Sequence, residues 1–167
     1  MRRHDYPRVE KTKGGAFLLR NIPPLMALAI RRLPELLADG APGIRDRLVG
    51  TPYPDDSEAM KHWEKHAVPE LEHLFRSARD LVLKDVEAIA PEPRATERSR
   101  MEIPVSHLAA WISSLAAVRV ALGGLHDLKE EEMEEQLPAV LVTPRDRAIL
   151  LVHLLGWVQG LLVEAGA

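Results

Sequence analysis

Residues 56–89 read DSEAMKHWEKHAVPELEHLFRSARDLVLKDVEAI. Projected at about 100° per residue, Met60, Trp63, Ala67, Leu71, Leu74, Phe75, Ala78, Leu81, Val82, Val86 and Ile89 fall within an arc of roughly 140°. That pattern predicts a long amphipathic helix with one face in a core. Pro69 removes a donor and crowds the carbonyl four residues earlier, so a kink is expected near Lys65-His66. The apolar phase continues through the proline, so the chain should bend there and not reverse. Asp55 with Glu58 three residues later has capping-box-like spacing at the start. Pro91 and Pro93 end the element, and Glu92 to Arg100 reads as a charged loop.

The flanking segments are helical by the same criteria. Upstream, Pro23-Pro24 can open a helix because the first turn leaves its donors unpaired. Leu25 to Leu37 continues it with helical apolar spacing, kinked at Pro34 and stopped by Asp39-Gly40. A short helix, Gly43 to Val49, leads into the extended run Gly50-Thr51-Pro52-Tyr53-Pro54. Downstream, a helix from about Pro104 to Leu122 aligns Leu108, Trp111, Ile112, Leu115 and Leu122, with Gly123-Gly124 as a C-cap. Thr143-Pro144-Arg145-Asp146 supplies an N-cap, a first-turn proline and a first-turn acid for the last helix.

That last helix is apolar almost all round, which marks either the centre of a bundle, the favoured reading, or a helix with one face in the core and another at a subunit interface, as in a homodimer. Its apolar stretch, Ala148 to Val163, is shorter than the roughly 20 residues of a bilayer span and contains His153 and Gln159. Near the N-terminus, Lys13-Gly14-Gly15 lies between two extended-looking runs within Tyr6 to Asn21 and predicts a small β-hairpin. The fold class is therefore mainly α: a single-domain helical bundle of about five or six helices, with an N-terminal arm or hairpin over 1–22 and the bundle over 23–167.

Composition narrows function mainly by exclusion. The chain has 167 residues, 46% hydrophobic, enough for one continuous core. With 22 basic and 25 acidic residues the formal charge is −3, far from the positive balance that phosphate backbones attract, so no nucleic-acid partner is expected. There is no cysteine, which rules out disulfides, thiolate metal sites and cysteine nucleophiles. Met1 to Arg20 lacks an apolar core of signal-peptide length, and the expected compartment is the cytoplasm, with no membrane. Ser106-His107 and Ser113-Ser114 form no triad spacing, and neither a Gly-x-Ser-x-Gly, a Walker loop nor a dinucleotide fingerprint occurs. No cofactor is expected.

Three stretches carry a resemblance: Arg47-Leu48 followed by Pro52 through Ala59; Trp111-Ile112 through Leu115 to Val118-Arg119-Val120-Ala121-Leu122-Gly123; and Trp157-Val158-Gln159 followed by Leu162-Val163-Glu164. In these the chain resembles an uncharacterised, mainly actinobacterial all-helical family, often encoded beside the adaptor that feeds N-degron substrates to the Clp protease. Gly14-Gly15 followed by Ala16 to Leu19 looks similar too. Trp63 stands where the family more often has Phe, and a Tyr-Asp pair usual before Trp157 is missing. The resemblance implies an all-helical core and no assigned activity.

Four groups of residues invite a chemical reading. His62, His66, Glu70 and His73 recur along one line of the long helix, and His62 and His66 are close enough to hold one metal. The glutamate of His-Trp-Glu-Lys-His is misplaced for the zinc-protease motif, and the three histidines lie roughly 200–240° from Met60, so a solvated face is the favoured reading and a metal site the lesser one. Arg119 projects onto the apolar face of its helix and needs a carboxylate or several carbonyls. A structural ion pair is the favoured reading, with Asp55, Asp56 and Glu58 as candidate carboxylates; a bound anion or snorkelling to solvent are the alternatives. Gly156 and Gly160 would admit a close helix, with His153 and Gln159 beside them and Gln159 a further contact candidate. The acidic run 130–135 is a solvated face or a docking patch. Together these predict a non-enzymatic interaction or regulatory module with a protein partner or self-association. The alternative is a metal- or anion-binding protein, and a hydrolase at most.

Overall fold

A computed structural model describes residues 6–93, 95, 97–134 and 140–167. In chain order its elements are β1 (Arg8–Lys11), β2 (Ala16–Ile22), α1 (Pro24–Arg31), α2 (Leu33–Leu36), α3 (Ile44–Val49), α4 (Ser57–His66), α5 (Val68–Glu87), β3 (Ala90–Pro91), β4 (Ser99–Pro104), α6 (Leu108–Leu125), α7 (Glu130–Glu134) and α8 (Pro144–Gly166). The protein is mainly α, as the periodicity predicts. The N-terminal hairpin, however, belongs to a four-stranded antiparallel sheet in the order β1-β2-β4-β3, so the core is not all-helical.

The central strand pair joins β2 to a segment that reads as loop. Phe17 faces Ile103 and Leu19 faces Met101, and all four are buried. The strand β4 alternates Arg100, Met101, Glu102, Ile103, with the apolar residues inward and Glu102 exposed. A period of two is present, but charge dominates its composition. Gly15 takes the left-handed conformation, φ 76°, that the β1–β2 turn requires. Asn21 also sits at positive φ, 55°, where the β2–β4 register shifts.

The long helix breaks at Ala67 into α4 and α5, with Pro69 in the first turn of α5. Its cap is Asp56, one residue later than the spacing suggests: the Asp56 carboxylate accepts from the amides of Glu58 and Ala59. The predicted apolar arc is only partly used. Val82, Val86 and Ile89 are buried, whereas Leu74 and Leu81 are exposed and α4 buries no residue. Helix α5 packs against α6, α3 and β4, and its residues in the hydrophobic core cluster, Val82 and Val86, fall toward its C-terminal end.

The core is built on α6 and α8, the most extensively packed helix pair. A single 3-10 turn, Val105–His107, precedes α6, and the helix continues through Gly123-Gly124 to Leu125, so those glycines are not its C-cap. At Gly124 a Cβ would come within 2.5 Å of Arg47 Nη2, and the missing side chain makes room for that arginine. Thr143 and Asp146 cap α8 reciprocally. By length and composition both α8 and Val105–Leu125 would cross a bilayer, so the brevity of 148–163 does not decide the matter. What marks α8 as a core helix is burial: Val152, Leu155, Val158 and Leu162 are enclosed against α6, α1 and the sheet.

Candidate functional site

The seam between α6 and α8 is laced by polar side chains that meet backbone carbonyls. Arg119 Nε donates to the carbonyl of Val152 at 3.2 Å, and Nη1 donates to Gln159 Oε1 at 2.7 Å. Gln159 returns the link, its Nε2 donating to the carbonyl of Ile112 at 3.2 Å. The guanidinium lies flat over Gly156, where a Cβ would sit 3.1 Å from three of its atoms. Arg119 is half-buried, and no carboxylate pairs with it among the described residues. Neutral acceptors take two of its donors without cancelling its charge.

On either side of this seam the two helices turn apolar or small residues to solvent. On α8, Trp157 is 48% exposed and Val163 48%, with Gly160 exposed between them and open space over it. These follow one another at spacings of three. On α6, Val120 is 49% exposed and continues with Ser113, Ala109 and half-buried Ala116. Trp157 and Gly160, read from sequence as packing residues, are therefore surface residues, and the covering of α8 is incomplete on this side.

Residues 18–166 match the profile of a domain of unknown function, DUF2017. The chain belongs to that family. No curated protein matches it, and no solved structure does. In this DUF2017 member, two of the three stretches that carry the resemblance, 111–123 and 157–164, lie on α6 and α8, the two helices of the seam just described.

The structure brings Arg119 and Gln159 together and leaves the acidic candidates elsewhere. Asp56 is occupied as the α4 cap and Asp55 and Glu58 are exposed; Glu58 pairs with Lys61 at 3.2 Å. An ion pair between Arg119 and that segment is thus replaced by bonds to an amide and a carbonyl. In the histidine row, the His62 and His66 rings lie 4.5 Å apart, inclined by 43°. Glu70 and His73 follow beyond the break on α5, both exposed. No three His, Asp or Glu side chains converge on one metal position among the described residues. The part of the acidic run that is described forms α7. There Glu132 binds Arg145 and accepts from the Lys129 amide, and the Arg145 bond first holds its carboxyl down at about 2. Glu135 lies outside the described residues.

Two buried carboxylates escape a motif search. Asp85 accepts from the Trp111 indole N–H at 2.8 Å and faces His107 Nδ1 at 2.9 Å. It binds the start of α6 to α5. The clue is its place, three residues after Val82 and four before Ile89, inside the apolar arc. Glu92 follows β3 and is bonded by Arg20 of β2; that bond, with support from the Asn21 amide, holds its carboxyl below the usual range against the opposing effect of burial.

Proposed function

We propose that this protein is a non-enzymatic protein-interaction module, and that the α6–α8 face receives a partner segment presenting a carboxylate among apolar side chains. The observation that carries the reading is Arg119: a half-buried cation, bonded among the described residues to neutral acceptors, between exposed apolar strips. A partner's carboxylate would meet an uncompensated charge there, and Trp157 is the kind of residue that dominates interface energies. Exposed apolar residues arranged this way on rigid helices favour recognition over solvation. The family resemblance suggests regulated proteolysis as the setting, and gene neighbourhood is what supports that part of the proposal.

The test compares proteins retained from native lysate by the wild-type chain with those retained by Trp157→Ser, Val163→Ser and, as a control on another exposed apolar site, Leu74→Ser. A partner held by wild type and Leu74→Ser, and lost from the other two, is expected. The proposal fails if retention is the same for all four, or if the only protein retained is a second copy of this chain.

A further inference from the structure

We propose, independently of the α6–α8 face, that His62 and His66 form a two-imidazole site for a borderline-soft divalent cation of the nickel, copper or zinc class. The two residues are one helical turn apart on α4, both exposed, with ring centroids 4.5 Å apart and planes inclined by 43°. Rings one turn apart on a helix face can turn a nitrogen each toward a common point, and imidazole suits these metals. The pair opens onto a cavity of about 440 Å³ shared with Tyr53 and Trp63. That space opens to solvent and has room for an ion with its remaining water ligands.

Two protein ligands define the kind of site. A closed four-ligand structural zinc centre is excluded by the absence of a third His, Asp or Glu at the same position among the described residues. An open site remains, with water or a partner's donor completing the shell. Its consequence falls on α4, which buries no residue of its own and is tied to α3 by the Trp63 indole N–H donating to the Val49 carbonyl at 3.1 Å. A cation bridging one turn stiffens this weakly anchored helix, because a ligand bound only by the folded form stabilises it.

The test is calorimetric titration of nickel alone onto the full chain prepared without a histidine tag. One ion per chain is expected, with affinity falling by roughly tenfold or more in His62→Ala and in His66→Ala, at least the loss that removing a group outside the ligand set produces. His73→Ala should bind as wild type. Nickel should raise the melting temperature and the amide protection of α4 in wild type, but not in His62→Ala. All three histidines are exposed, so circular dichroism should report unchanged folding in each variant. Absence of binding heat, or binding that persists in the double variant His62→Ala/His66→Ala, or binding lost in His73→Ala, would overturn the site.

Discussion

At the scale of single residues, Gly156 and Gly160 look equivalent in sequence and are opposites in space. A methyl group at Gly156 would press on a guanidinium fixed by two hydrogen bonds, whereas one at Gly160 would meet nothing within 4 Å. Gly160→Ala should therefore stabilise the chain by about 0.5–1 kcal/mol through helix propensity alone. Gly156→Ala should forfeit that gain and destabilise, as thermal melts of the two variants would reveal. Trp111→Phe keeps an aromatic ring in the core but loses the pyrrole half of the indole and with it the donor to Asp85; a loss of at least about 1–3 kcal/mol is expected in denaturant unfolding. Arg119 was legible in sequence as a charge on an apolar face. Its partners were not, because Val152 and Gln159 lie on a helix whose packing direction no local spacing specifies.

Among elements, helices were legible wherever a period of 3.6 was accompanied by a cap, as at Thr143. Thr143→Ala removes the side-chain half of the α8 capping box, the acceptor of the Asp146 amide, while the backbone amide of residue 143 keeps its bond to the Asp146 carboxylate; it should cost about 1 kcal/mol, measurable by chemical denaturation. Strand β4 was hidden because four of its residues, Ser99, Arg100, Glu102 and Pro104, are polar or proline, and its pairing with β2 joins residues about half the chain apart. Glu92 makes the sheet sensitive to acid. Its carboxyl titrates below the ordinary 4.5 in the folded chain, so its contribution is fully present above that value and disappears as pH falls through the folded value. Glu92→Gln should destabilise by about 1.5–3 kcal/mol at pH 7, and the gap from wild type should close in unfolding curves recorded progressively below pH 4.5.

For the whole molecule, the same two helices that form the core also supply its most distinctive surface. A soluble-domain reading of α8 assigns every apolar residue inward, and the hydrophobic count could not say which of them the remaining 140 or so residues would leave uncovered at this domain size. The answer is the strip through Trp157, Gly160 and Val163, with Val120 across the seam. The central claim is that this face, and not some other part of the surface, meets a protein partner. It is tested most directly by a photoreactive amino acid at Val120 in the native host, with Leu74 as the second position. The account predicts one cross-linked protein from position 120, suppressed by Trp157→Ser, and none of it from position 74. The same adduct from both positions, or no adduct from position 120, would contradict it.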